Sequence, residues 1–263
     1  MFGVVPKSMW NKLNPADENN MCTWAMRCLL VQSGDRLILV DNGIGEKQDA
    51  KFFSHYYLSG EDTLYKSLRK HGFTEDDITD VFLTHLHFDH CGGSIRWNNT
   101  KEHLEPAFKN AKYWSNEKHW EWATVPNTRE KASFLKENIL PIKESGQLFF
   151  LNEGEKLMEG FDVLFVNGHT DAMMLPVVSF NNQTLIYCAD LIPSTAHIPV
   201  SYVMAYDTRP LITLEEKTVF LSNALKYDAR LMFEHDPLNE CCTLISTDKG
   251  ARIDQTMLLS ELQ

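Results

Sequence analysis

Apolar positions in this chain fall into short runs that predict strands early, helices between them, and strands again. Ala25–Gln32 and Leu37–Val40 read as two strands joined by the turn-rich Ser33-Gly34-Asp35, and the second runs into the glycine-bearing loop Asp41-Asn42-Gly43-Ile44-Gly45. Asp62–Lys70 has a helical pattern closed by Gly72, and Thr74 with Asp77 predicts an N-cap for one short turn before a strand at Asp80–Leu83. Further on, Arg129–Asn138 reads as helix, and Leu148–Leu151 and Phe161–Val166 as strands. Pro176–Phe180 and Thr184–Ala189 read as a hairpin around Asn181-Asn182-Gln183. Thr213-x-x-Glu216 has the form of a capping box and predicts a helix to about Tyr227, followed by a strand at Leu231–Glu234 and a last hairpin turning at Asp248-Lys249-Gly250.

This order suggests an α+β chain with two sheets and helices outside, a four-layer αββα sandwich rather than a doubly wound parallel sheet. With no internal repeat and no clear linker, one domain over residues 1–263 is expected. Residues 91–128 are the least regular. With Trp97, Trp114, Trp120 and Trp122 they read as an insertion packed over the mouth of a site.

Composition narrows the partners. Hydrophobic residues make up 43% and charged residues 23% of 263 positions, enough to bury a full core. The net charge of −11 argues against nucleic acid and anionic membrane, both of which need clustered positive charge. No run is long and apolar enough to span a bilayer, and Met1–Asn20 lacks the apolar stretch of a secretory signal. The cysteines at 22, 28, 91, 188, 241 and 242 include no Cys-x-x-Cys pair, and Cys241 and Cys242 would face opposite ways on a strand, so reduced thiols in a cytoplasmic protein are expected.

The chemistry concentrates in Thr84-His85-Leu86-His87-Phe88-Asp89-His90-Cys91-Gly92-Gly93. Three imidazoles and a carboxylate within six positions suit zinc first, and also iron, cobalt or manganese. Gly92 and Gly93 let the backbone fold closely behind them. One cluster cannot complete two metal shells, but His169, Asp190 and His235 each follow a predicted strand, where sites are commonly built. Other residues take plainer readings. Met21, Met26, Met173, Met174 and Met204 divide between core filling, the default, and the lining of an apolar pocket; His55, His71, His103 and His119 are expected on the surface; Glu153, Glu155 and Glu159 in a solvated loop; His197 divides evenly between pocket and structure.

In this order the residues resemble the metallo-β-lactamase-fold hydrolases, from about Cys28 to Pro237: His85-x-His87-x-Asp89-His90, then His169, Asp190 and His235. The resemblance implies the αββα sandwich of that type. It implies two divalent ions, one held by His85, His87 and His169 and the other by Asp89, His90 and His235, with Asp190 bridging. Asp41 matches the aspartate that orients ligands from behind in this family. The family usually enters its first sheet by a strand ahead of a segment like Phe2–Lys7, at which this chain begins.

What is missing narrows the branch. Asp190 is not the cysteine of many β-lactamases, and His87 is not the glutamate of the di-iron reductases. Residues 236–263 are too few for the helical thiol-ester-binding domain of glyoxalase II, and no basic patch points to RNA processing. The segment Ala189–Pro199, followed by Tyr202–Asp207, resembles the branch of quorum-quenching lactonases and methyl-parathion-type hydrolases. Pro193 stands where many acyl-homoserine-lactone lactonases carry a tyrosine, with His197 and Tyr202 as nearby stand-ins. The expected activity is the opening of a lactone or related ester by a metal-bridging hydroxide, with Asp89 steering the nucleophile and passing its proton to the leaving group. A phosphotriesterase-like hydrolase is the alternative, and a non-catalytic or redox di-iron protein a further one. The partner is then a small-molecule lactone or ester, with no nucleic acid or membrane, and a homodimer is the assembly entertained.

Overall fold

The computed structural model describes residues 1–262. The helices are α1 (Lys7–Trp10), α2 (Ala50–Phe53), α3 (Leu64–Lys70), α4 (Phe88–Cys91), α5 (Glu117–Thr124), α6 (Lys136–Glu144) and α7 (Pro210–Lys226). Two compact units account for the chain, named here for their place in the sequence: a central unit, Cys28–Asn152, and a terminal unit, Met1–Arg27 with Glu153–Gln263.

The central unit holds β1 (Leu29–Ser33), β2 (Arg36–Val40), β3 (Asp80–Phe82), β4 (Ile95–Trp97), β5 (Leu104–Pro106), β6 (Lys112–Ser115) and β7 (Leu148–Phe150). Its main sheet runs β1-β2-β3-β6-β7, with β4 and β5 as a separate antiparallel pair. The β1–β2 hairpin turns at Gly34, which adopts φ 56°. The pairs β2/β3, β3/β6 and β6/β7 are parallel, so the loops leaving β2, β3 and β6 emerge at one edge of the sheet. Leu37–Val40 are consecutively buried, as parallel-type strands are, and Leu37, Leu39, Val81, Leu83, Phe108, Tyr113, Ile139 and Ile142 form the core.

The terminal unit holds β8 (Phe161–Val166), β9 (Met173–Phe180), β10 (Gln183–Tyr187), β11 (Arg230–Met232), β12 (Cys241–Thr247) and β13 (Gly250–Met257), in sheet order β13-β12-β11-β10-β9-β8. β10 and β11 are parallel and the other neighbours antiparallel. The ends of β8, β10 and β11 therefore point the same way. Asn181 and Asn182, with φ of 46° and 61°, make the two-residue β9–β10 turn, a conformation asparagine tolerates better than most residues. α7 packs on β12 and β13. Cys241 and Cys242 are both fully buried on β12.

The structure corrects several expectations. Residues 91–128 are no insertion, because β6 pairs between β3 and β7 inside the central sheet and Trp120 is core. The helix expected at Arg129–Asn138 is shifted to Lys136–Glu144. Asn127 Oδ1 accepts from Arg129 N and Glu130 N, holding that stretch in a turn that competes with helix. Ala25–Cys28 do not extend β1; Ala25 N and Arg27 N donate instead to His235 O and Glu234 O within the terminal unit. Nor does Thr213 cap a helix. α7 begins earlier, at Pro210, whose ring presets the first helical residue, and Glu216 is freed for another partner.

Candidate metal centre

In the central unit the chain leaves β3 and turns at once into α4, so that His85, His87, Asp89 and His90 arrive on a single turn. The turn is held from the neighbouring loop. Asp41, just past β2 and at φ 53°, accepts from Thr84 N at 2.8 Å, from the Thr84 hydroxyl at 2.6 Å and from His90 Nδ1 at 3.0 Å. Backbone meets backbone behind it: a Cβ on Gly92 would overlap the Ile44 carbonyl, and one on Gly93 the Asn42 carbonyl. Larger residues do not fit there, as the Gly92-Gly93 pair led one to expect.

These contacts set each imidazole's tautomer. A carboxylate only accepts, so His90 carries its proton on Nδ1 and keeps its lone pair on Nε2. The Thr84 hydroxyl spends its hydrogen on Asp41, so its oxygen accepts from His85 Nδ1 at 3.1 Å and His85 Nε2 keeps its lone pair. His87 Nε2 lies 3.4 Å from Glu130 Oε1, while Glu130 Oε2 accepts from Trp122 Nε1 and Asn127 Nδ2, each at 2.7 Å. His87 thus offers Nδ1. His85 Nε2 and His87 Nδ1 lie 3.0 Å apart. Asp89 is the one partly exposed member, its carboxylate 3.8 Å from His90 Nε2.

In the terminal unit His169 sits in the loop between β8 and β9, Asp190 follows β10 and His235 follows β11. The Asp190 carboxylate divides between the two imidazoles: Oδ2 is 3.0 Å from His169 Nε2 and Oδ1 is 3.1 Å from His235 Nε2. His235 Nδ1 donates to the Ala25 carbonyl at 2.8 Å, so its Nε2 also faces Asp190 with a lone pair. His169 Nδ1 donates to Asp207 Oδ1 at 2.9 Å. Burial works against a charged His169, but Asp190 and Asp207 outweigh it and raise its pKa to about 10. Ala189, at φ 40°, makes the tight turn that presents Asp190.

Do these residues fit a metal? Lone pairs face one another at His85 Nε2 and His87 Nδ1, and at His235 Nε2 and Asp190 Oδ1, at 3.0 to 3.1 Å. Two acceptors at that distance repel unless a cation lies between them. Ligand bonds of about 2.0–2.1 Å in a tetrahedron place neighbouring donor atoms ~3.3 Å apart, close to what is seen. The donors are all imidazole and carboxylate, which suits a divalent ion of the zinc type. They fit.

Four supporting residues escaped the sequence reading. Glu130 and Asp207 orient His87 and His169. Glu216, reaching from α7, accepts from Asn167 N at 2.6 Å and Gly168 N at 2.9 Å, fixing the turn that delivers His169. His119, expected on the surface, is fully buried, and its Nε2 accepts from Leu86 N at 2.9 Å inside the ligand turn. It heads α5 behind Asn116, whose side chain caps the helix by accepting from His119 N. The strand-then-cap pattern at Ser115-Asn116 was the signal that could have placed it. His197 is also buried, with Nδ1 2.7 Å from Ser194 Oγ and its ring stacked on Phe2.

A profile of the Metallo-beta-lactamase superfamily matches residues 27–235. Among curated proteins, an N-acyl homoserine lactonase of Bacillus cereus is 26% identical over 175 residues, covering 62% of this chain and 60% of the relative. This chain thus spans about 60% of the length of these curated relatives. Among solved structures, a probable metal-dependent hydrolase from Staphylococcus aureus superposes with a TM-score of 0.89 at 26% identity, covering 100% of this chain and 92% of the other. The dizinc quorum-quenching lactonase AidC, in complex with a product, gives 0.74 at 25% identity, covering 90% and 81%.

Proposed function

The chain belongs to the metallo-beta-lactamase superfamily, with its α+β fold, and from that membership we propose a dinuclear metal-dependent hydrolase that opens a lactone of the N-acyl-homoserine type or a related ester. The observation that carries the reading is the Asp190 carboxylate, which turns one oxygen to His169 and the other to His235, the posture of a ligand shared between two ions.

By the family's order of ligand blocks, one ion would be held by His85, His87 and His169 and the other by Asp89, His90 and His235, with Asp190 common to both. Such ions supply Lewis-acid polarisation of a carbonyl and a lowered pKa for water when bound. The protein's own part is to aim the ligands. Asp41, Asp207, Thr84 and the Ala25 carbonyl each hold one imidazole proton on the nitrogen turned away from the metal, and the Glu130 carboxylate lies beside His87 Nε2. Asp89, partly exposed where the others are buried, can take a proton on its carboxylate and return it to a leaving alkoxide. Lactonase names among the relatives support the substrate class.

The test is one panel on metal-reconstituted protein: acyl-homoserine lactones of several chain lengths, aryl esters and a phosphotriester. The expected result is lactone turnover at least about tenfold above the rest in kcat/KM, a difference of ~1.4 kcal/mol in transition-state binding. Phosphotriester turnover exceeding that of the lactones would transfer the assignment to the phosphotriesterase class. No hydrolysis of any member would retire the reading.

A further inference from the structure

Residues 191–206 leave Asp190 and return to Asp207, the carboxylate that orients His169, so this loop is tied to the terminal half-site at both ends. It joins no sheet. Near its start, Thr195 N and Oγ1 donate to Asp236, the residue after His235, at 2.9 and 2.5 Å. Beside the Phe2 ring stacked on His197, one side chain hydrogen-bonds the backbone of its middle. Lys217, fully buried on α7, gives its three N–H donors to the carbonyls of His197 at 2.7 Å, Pro199 at 3.0 Å and Tyr202 at 2.8 Å. Burial pulls its pKa down to about 7, with Asp207 opposing, so a charged lysine here is costly unless those carbonyls need it.

We propose that Lys217 is a positioning residue that holds residues 197–202 as a substrate-selecting wall, separately from metal assembly, on the geometry of one ammonium satisfying three carbonyls of a loop begun and ended at the metal half-site. This rests on the hydrolase reading above. Its neighbour Glu216 faces the other task, fixing Asn167 and Gly168 ahead of His169. Two adjacent residues of α7 thus serve two different loops.

The experiment compares wild type with K217Q, K217M and E216Q, each metal-loaded, by amide hydrogen exchange, metal content and lactone kinetics across acyl chain lengths. Expected for K217Q is exchange about tenfold faster in 195–203 with 167–171 unchanged. Full metal content should persist, with KM for the preferred lactone raised about tenfold and kcat less affected. K217M, with volume but no donors, should exceed K217Q in each effect. E216Q should reverse the pattern, loosening 167–171 and lowering metal content. K217Q carries the test if K217M does not fold. Unchanged exchange and kinetics in K217Q would overturn the proposal, as would loss of metal in step with loss of protection throughout the terminal unit. A wild type inactive on every substrate would retire the hydrolase reading, while the exchange data would still report whether Lys217 holds the loop.

Discussion

In the central unit three imidazoles and a carboxylate arrive within six residues on one turn; in the terminal unit two imidazoles and a carboxylate arrive from three strand ends spread over residues 169–235. The first half is built by short-range geometry: β3 stops, α4 starts, and the glycines behind the turn allow the backbone of the 41–45 loop to press against it. Its protons are fixed by an adjacent threonine and by Asp41, with the Glu130 carboxylate beside His87. The second half is built by register. Tyr187 pairs with Met232 in the parallel β10–β11 ladder, so Asp190 and His235, each three residues on, emerge side by side. A compact motif can be assembled by one turn, whereas a distributed one needs the whole sheet in place and carboxylates from remote elements to aim it.

The sharpest way to break that contrast is to remove the residue on which the distributed half converges. Asp190→Asn keeps the shape but halves the acceptor oxygens and removes the charge facing both His169 and His235. Turnover should fall to background and bound metal, counted by elemental analysis, should drop. Full metal content with normal activity would mean that Asp190 is not the shared ligand. Next comes Asp89→Asn in the compact half. If Asp89 carries protons, kcat should fall by about 10²–10⁴-fold even under conditions that saturate the protein with metal.

Smaller effects sharpen the difference between the halves. Asp207→Asn should weaken metal binding by about 10–100-fold, because the His169 proton is no longer held on Nδ1 by a carboxylate. The same change should alter pH dependence. In the metal-free protein burial disfavours imidazolium, but Asp190 and Asp207 together raise His169 to about 10, above its unfolded value. That charged pairing stabilises the metal-free fold fully below about pH 6.5 and is lost as pH rises through 10. A metal at Nε2 must displace the same proton. Affinity should therefore climb by up to about tenfold per pH unit between 7 and 9 and flatten above 10. Titration calorimetry at three pH values would check this; a flat profile would show that His169 binds no metal. Asp207→Asn should reduce the slope.

How much of this was legible follows the same division. The 85–90 cluster could be read directly because a handful of adjacent residues encode it. His169, Asp190 and His235 could be read only as strand ends, through the resemblance to a family. Their supports could not be read at all: Glu216 looks like the end of a capping box, Asp207 sits in an unpatterned loop, and His119 looks like one more polar residue on an irregular stretch. In each case the partner lies 33 to 49 residues away in sequence, and only the fold supplies the proximity. The helix expected at 129–138 failed for a local reason that was visible, since Asn127 offers the backbone a turn in competition with a helix.

The subtlest test lies inside the compact half, at the threonine before the first histidine. Thr84 connects two things: its backbone N–H and hydroxyl both bind Asp41, and its hydroxyl oxygen also receives the His85 Nδ1 proton. Thr84→Val keeps the β-branched shape, the volume and the N–H bond, and deletes only the relay. Asp41 retains the Thr84 amide and His90, so the turn should hold its form. His85, however, loses the acceptor that fixes its tautomer, and the buried Asp41 oxygen loses a donor. One hydrogen bond of this kind is worth about 0.5–1.5 kcal/mol, which predicts metal binding weaker by only about 2- to 10-fold. Thr84→Ser should restore it, because the hydroxyl alone does the work. If Thr84→Val instead cost as much as Asp207→Asn, the compact half would depend on its supports as heavily as the distributed one. The contrast between a site built by a turn and a site built by a sheet would then fail.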